Sequence, residues 1–338
     1  MSKPRQDTIL VERLTSFAKK YGDPRRTELA QIDLTPKEKI VEAIEPEDVV
    51  VVLTKAGHIK RVPVKSFKIQ KRNGKGTKNK DDSIVDIIKT NTIDTLVMFS
   101  SLGKMYRVVV DDVPATTNAA VGTAVNSIVK LAAGEEIMAI TSHYRKSVAT
   151  SVVFVTANGM IKKSSIDEYA KGGRNLSGII ALKLKDDDKV VEITFLKDEE
   201  LILVSQNGYS IRVKTSDIGN VGRVAMGVKG MKLGEGDIVV SAVPIHKSTD
   251  NLAIFTKNGY GKKVALTEFV PQGRNGKGII CSKEAVAGAE MVCDDDNILI
   301  IGSISNIAIS AKEIPSTSRI ALGNTILKNN IIMSIVKI

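Results

Sequence analysis

The sequence predicts an all-β fold: a propeller-like ring of six four-stranded blades behind a short N-terminal helix and linker. Three observations predict it. Six short β-branched runs each precede a turn signal, a glycine-tipped pattern returns about every fifty residues, and cations sit at constant offsets from each tip. Repeats of this length are the signature of a propeller or solenoid, because one such unit cannot bury its apolar face alone.

The chain divides at about residue 45. Residues 6–20 read as a helix, with Ile9, Leu10 and Leu14 on one face and Phe17 joining at i+3. Gly22-Asp23-Pro24 would end it. A lone helix of this length is marginal in water. Its apolar face therefore suggests either a fragment of a longer protein or a helix docked on the ring itself, with residues 1–45 as helix and linker and residues 46–338 as the ring.

From Pro46 onward the first strands are Val49–Leu53, Thr95–Phe99, Val152–Val155, Leu201–Val204, Leu252–Phe255 and Ile298–Ile301. The hairpin tips that follow are Gly57, Gly103, Gly159, Gly208 and Gly259, with Ile304 in the sixth copy, spaced 46, 56, 49, 51 and 45 apart. Asn158-Gly159, Asn207-Gly208 and Asn258-Gly259 are strong two-residue hairpin signals. A second strand follows each tip (Ile59–Val64, Ile211–Val213), then a glycine-rich loop. A third strand (Ser83–Ile88, Gly178–Leu182) and a fourth (Val190–Phe195, Ile238–Val243) complete the expected blade. A closed ring leaves only short edges exposed.

Composition narrows the function. With 338 residues, 43% hydrophobic and 26% charged, the chain can bury a sizeable core. A net charge of +11 points to a polyanionic partner. Two cysteines, Cys281 and Cys293, and three histidines fit neither a disulfide scaffold nor a zinc site. No apolar run near twenty residues predicts a membrane span. The acidic triplets Asp186–Asp188 and Asp294–Asp296 read as solvated turns rather than metal sites, and no catalytic constellation is found.

Basic residues carry the functional signal. Lys60 to Lys80 holds nine Lys or Arg and no acid, centred on Gln70-Lys71-Arg72-Asn73-Gly74-Lys75-Gly76. That heptad returns 202 residues later as Gln272-Gly273-Arg274-Asn275-Gly276-Lys277-Gly278, six of seven positions identical. Four residues after each tip stand Arg61, Arg107, Lys163, Arg212 and Lys263, with Ala308 in the sixth copy. Fifteen residues after the tip stand Arg72, Arg174, Arg223, Arg274 and Arg319, with Asn118 in the second copy, and a glycine follows four residues later in every copy. Side chains at a fixed strand offset share a face, so the first set is expected to form a cationic belt and the second a parallel row. With aromatic residues at only 4%, such rows suit phosphates better than base stacking. Lys60, Lys71, Lys75 and Lys277 complete the expected contacts. The sixth copy, with Ala308, is expected to be where a bound duplex leaves the rim.

The heptad resembles the signature box of the bacterial DNA gyrase A protein, usually Gln-Arg-Arg-Gly-Gly-Lys-Gly. Here Lys71 replaces the first arginine and Asn73 the first glycine. Tyr21–Glu28 is similar to the junction after that protein's breakage-reunion region. The resemblance covers residues 20–338. It implies a six-bladed β-pinwheel whose neighbouring blades exchange strands, and which wraps duplex DNA without sequence preference so that gyrase introduces negative supercoils. It further implies a heterotetrameric holoenzyme, built with the rest of the gyrase A protein and with the gyrase B protein, in the bacterial cytoplasm at the nucleoid. ATP and Mg would belong to that holoenzyme, with no cofactor in this domain. The C-terminal domain of the topoisomerase IV A protein shares the fold but usually lacks an intact box. A propeller that binds protein partners is the other alternative.

Overall fold

A computed structural model describes residues 2–23, 44–67, 69–72, 74, 77–78, 84–117, 120–143, 149–170, 174–185, 188–196, 200–245 and 251–338. The chain forms two compact units, Met1–Ala43 and Ile44–Ile338. In the first, a helix spans Lys3–Tyr21, with Pro4 in its opening turn and Lys19 and Lys20 in its last. Those placements match the missing amide of proline and the negative end of the helix dipole. Leu10, Val11, Leu14, Phe17 and Tyr21 are exposed on it.

The second unit is a ring of six sheets. Blade one runs, from inner to outer edge, through Ile84–Asn91, Asp48–Thr54, His58–Pro63 and Thr123–Ala124. That outermost strand comes from the second copy. Blades two to five follow the same plan, with outer strands Asn175–Ile180, Val228–Lys229, Ile279–Ile280 and Asn324–Thr325 each taken from the next copy. The expected third strands are therefore not equivalent. Residues 84–91 form the innermost strand of their own blade, whereas 175–180 complete the blade before. A repeat gives three strands to its own sheet and one to its neighbour.

Blade six closes the circle. Its strand Ser305–Ser310 pairs in parallel with Ile69–Gln70 and antiparallel with Thr77–Lys78, both from the first copy. The innermost strands also pack each on the next, ending with Ile332–Lys337 against Ile84–Asn91. Six apolar clusters lie one at each seam between blades. The seam between blades one and two joins Val49, Val51 and Leu53 to Leu96, Met98 and Tyr106. The seam between six and one joins Val50, Val52 and Ile87 to Leu299, Ile301 and Ala308. Both faces of a blade are thus buried, which is why first strands read as continuous apolar runs rather than alternating ones. Among the described residues, no helix is long and apolar enough to cross a membrane.

Candidate nucleic-acid interface

The cations four residues after the tips do not form an exposed belt. Arg107 is 8%, Lys163 8% and Lys263 5% exposed, and Arg61 and Arg212 are mostly covered. Their side chains cross the seams instead. Arg61 Nη1 lies 2.6 Å from Asp111 Oδ1, Arg107 Nη1 donates to Tyr169 O at 2.5 Å, and Lys163 Nζ donates to Thr215 O at 2.9 Å. Arg212 pairs with Glu200 in its own blade and donates to Phe269 O of the next at 3.0 Å. Lys263 Nζ reaches Asp294 Oδ1. The backbone explains the placement. At this residue the next copy's chain bridges the strand in parallel, as Arg61 with Ala115, Lys163 with Asn220, Arg212 with Pro271 and Lys263 with Ser316. A long cation there is covered by the incoming segment, and buried carbonyls give it acceptors. Burial holds the Arg107 guanidinium below its ordinary pKa.

The triplet Asp294–Asp296 lies at a turn with Asp294 and Asp295 exposed, as expected, and each of the three faces a lysine. Asp294 takes Lys263, Asp295 takes Lys312 at 3.0 Å, and Asp296 lies 3.7 Å from Lys337. Asp186 and Asp187 lie outside the described residues.

One residue earlier, three lysines organise the glycine-rich loops from beneath. Lys60 Nζ donates to Ala120 O at 2.7 Å. Buried Lys162 donates to Tyr169 Oη at 2.9 Å, Ala181 O at 2.8 Å and Arg223 O. Buried Lys262 donates to Arg319 O at 2.5 Å and Ala321 O at 2.6 Å. Burial pushes Lys162 down to about 8. The loops press close enough to the preceding blade that the glycine nineteen after the tip is obligatory. Gly278 has φ +79°, and a Cβ there would stand 2.2 Å from Ser210 O; at Gly323 (φ +86°) it would stand 2.4 Å from Gly261 O. Positive φ and backbone crowding both exclude other residues.

The later row is accessible, and partly engaged. Lys71, Arg72, Arg274 and Lys277 are exposed, and Lys277 Nζ lies 4.7 Å from the Tyr209 ring centroid. Arg174 is exposed and paired with Asp112 of the previous blade. Arg223 is half-buried. Arg319 is half-buried and reaches back to the preceding loop, donating to Ile280 O. In the heptad itself, Gln70 and Gly74 are half-buried, and Asn73, Lys75 and Gly76 lie outside the described residues, as does Asn118. The fifth-copy counterpart shows the loop's design. Asn275 adopts φ +65°, the left-handed region that asparagine tolerates.

The sequence reading missed a further row. Twenty-four residues after the tip stand Lys183, Lys232, Lys283 and Lys328, all exposed and, among the described residues, held by no ion pair or side-chain hydrogen bond. Each follows the point where the incoming chain pairs with the tip glycine of the preceding blade, as Leu182 N–H with Gly103 O and Ser282 N–H with Gly208 O. The signal was available by the same counting: lysine at one offset in four consecutive copies.

The family model described as DNA gyrase C-terminal domain, beta-propeller, matches residues 48–91, 94–143, 150–196, 199–246 and 250–283. The chain belongs to that family. It is 32% identical over 333 residues to the DNA gyrase A protein of Lawsonia intracellularis, covering 95% of this chain and 40% of the relative. To that of Clostridium acetobutylicum it is 35% identical over 335 residues, with the same shares. The chain thus spans about 40% of the length of these relatives. A solved DNA gyrase A C-terminal domain superposes with TM-score 0.76 at 29% identity, covering 86% of this chain and 99% of that one. The C-terminal domain of DNA topoisomerase IV gives 0.66 at 29%, covering 87% and 94%.

In this gyrase-family ring the axis is acidic. A cavity of about 380 Å³ is lined by Thr141, Thr194, Glu192 and Glu290 among others. Burial pushes Asp86 up to about 7, and burial with the charges of Asp86 and Glu290 raises Glu192 well above the carboxylate range. Asp86 also accepts Ile140 N–H across the first seam at 2.7 Å. Burial and crowding favour the protonated, uncharged form of these carboxyls, and the exposed cations lie in a different part of the ring.

Proposed function

We propose that the ring binds duplex DNA along its outer surface through phosphates and bends it around the blades, and that this wrapping serves a gyrase holoenzyme. The observation that carries the reading is the row Lys183, Lys232, Lys283 and Lys328: charges presented at the same place in four consecutive copies, with no partner among the described residues to neutralise them. Recurring cations meet a polymer of evenly spaced phosphates, and neutralisation releases counterions. Exposed Lys71, Arg72, Arg274 and Lys277 extend the row to the glycine-rich loops. Because phosphate contacts fix position without reading bases, sequence enters only through the ease of bending.

Within the holoenzyme, the gyrase B protein and the remainder of the gyrase A protein would supply ATP-driven strand passage, for which ATP and Mg are required. Residues 1–45 would connect this ring to the breakage-reunion region. The domain's part is to fix the path of the DNA entering that machinery. Membership of the gyrase family and the nearly intact box favour this reading over a topoisomerase IV role.

The test is electrophoretic retardation of plain duplex across salt concentrations, followed by ligation of nicked circles with the domain bound. The logarithm of affinity should fall with that of salt by roughly 0.9 per phosphate contact, giving a slope on the order of −5 to −10. Ligated circles should carry a linking-number change of one sign. A slope near −1, strong preference for one sequence, or no topological change would overturn the reading.

A further inference from the structure

The six copies are not one repeat made six times but a two-blade repeat made three times. Three residues after the tip, copies one, three and five have Lys60, Lys162 and Lys262, while copies two, four and six have Tyr106, Ile211 and Ile307. Ten residues after it the odd copies have Phe67, Tyr169 and Phe269, and the even ones Val113, Ile218 and Ile314. In the glycine-rich loop, sixteen residues after the tip, odd copies have Asn73, Asn175 and Asn275; even copies have Ala119, Val224 and Ile320. At eighteen, Lys75, Ser177 and Lys277 alternate with Val121, Met226 and Leu322.

The structure ties these alternations together. Each odd blade places its lysine amine under carbonyls of the following even loop, at Ala120 O, Arg223 O and the pair Arg319 O and Ala321 O. Odd loops rest on apolar side chains instead, Gly178 against the Tyr106 ring and Gly276 against Ile211. Even loops thus have a backbone clamped from below and an aliphatic tip left outside: Val121 is 53%, Val224 57% and Ile320 52% exposed. Packing does not require these tips, since they are half in solvent. Nor does the glycine turn, since odd copies place Asn, Lys or Ser at the same two offsets. Leu176, exposed between Asn175 and Ser177, is the one odd-loop departure among the described residues.

On the reading that the rim binds duplex DNA, we propose that Val121, Val224 and Ile320 act as wedges, pressing between base steps at three places two blades apart. Aliphatic side chains among cations are the combination by which bent duplexes are held: charge grips the backbone, and the apolar tip partially unstacks a step and concentrates the bend there. The lysine ammonium bonded beneath each even loop, buried at Lys162 and Lys262 and half-buried at Lys60, makes the tip stiff enough to push. Odd loops, polar and basic, would grip without kinking.

Permanganate reactivity of thymines on a long mixed-sequence duplex, at saturating protein, tests this. The natural ring is expected to give three groups of hyper-reactive steps, one for each even loop. A Val121→Ser/Val224→Ser/Ile320→Ser variant should lose all three while its affinity in retardation falls less than about tenfold. Val224→Asn alone, copying the odd loops, should remove only the middle group. Retarded complexes with no hyper-reactive steps, or a pattern unchanged by the variants, would overturn the wedges while leaving DNA binding intact. No retarded complex with the natural ring would overturn both readings.

Discussion

Four residues after the hairpin tip and twenty-four after it, the same blades carry two rows of cations that the ring treats in opposite ways. The first row, Arg61, Arg107, Lys163, Arg212 and Lys263, sits on the second strand, where the next copy's chain crosses it; its charges go to carbonyls and carboxylates, most of them across a seam. The second, Lys183, Lys232, Lys283 and Lys328, comes after the exchanged strand has ended and stays in solvent. Regular spacing alone does not separate them. What does is whether a neighbouring chain passes over the position, and strand exchange decides that. A recurring cation is therefore as readily a fastener between repeats as a contact for a ligand.

The largest effect should come from the exposed row. Replacing Lys183, Lys232, Lys283 and Lys328 together by Gln removes four candidate phosphate contacts. The salt slope should shrink by about 0.9 for each, a loss on the order of a thousandfold in affinity at 0.1 M salt. Stability should move by no more than about 0.5 kcal/mol per site, as for other surface changes. Anisotropy titrations at several salt concentrations with parallel urea unfolding read both. If affinity hardly changes, the two rows do not differ as argued.

Next comes the buried row. Lys163→Ala removes the charged donor from Thr215 O, which keeps the Ile218 N–H, and leaves a gap in the seam between blades three and four. A hydrogen bond from a charged donor contributes about 1.5–3 kcal/mol and the lost packing adds to it, so a fall of roughly 3 kcal/mol is expected. Measured where the variant is still folded, DNA affinity should stay within about twofold of the natural ring. A stable variant with weakened binding would return Lys163 to the contact row.

Much of the architecture was legible in the sequence because both of its signals are local. Asn-Gly and related tips announce hairpins, and apolar runs with a fixed period announce blades buried on both faces. Exchange was not legible from the residues, since a two-residue strand such as Thr123–Ala124 carries no pattern of its own and its partner lies in another copy. From that gap came the misplacement of the third strand and of the cation belt. Alternation on a strand says which side chains share a face; it does not say whether a later segment covers that face. The glycine nineteen after the tip was the legible trace of that cover, being the residue that lets the loop press on the blade before.

The sixth seam sharpens the comparison on a smaller scale. Ala308 is buried in the cluster that joins blade six to blade one and pairs with Ile69 at the point where other blades place a cation. The expectation that it marks a weak place on an exposed rim therefore falls. Ala308→Arg should not tighten DNA binding. Overpacking the cluster should instead lower stability by about 1–3 kcal/mol, visible as an earlier thermal midpoint. If the variant is as stable as the natural ring and binds more tightly, position 308 is accessible after all.

The arginines fifteen after the tip stand between the two rows, and Arg174 tests them most directly. Its guanidinium pairs with Asp112, whose other oxygen accepts Val109 N–H at 2.9 Å. Asp112→Asn keeps an acceptor for that amide and deletes the charge. An exposed pair of this kind contributes about 0.2–1 kcal/mol, so stability should drop by less than 1 kcal/mol. For DNA the sign follows from the role. If Asp112 mainly holds Arg174 to the neighbouring blade, releasing it frees a cation and removes an anion, and affinity should rise by about twofold at low salt, fading as screening grows. If Asp112 instead aims Arg174 at a phosphate, affinity should fall to that of Arg174→Ala. The placement of the carboxylate on the preceding blade favours the first outcome, because Arg319 makes the same backward reach, its N–H to Glu268 at 2.9 Å and its guanidinium to Ile280 O. Equal losses in Asp112→Asn and Arg174→Ala, with no stability change in either, would move this row to the side of the exposed lysines.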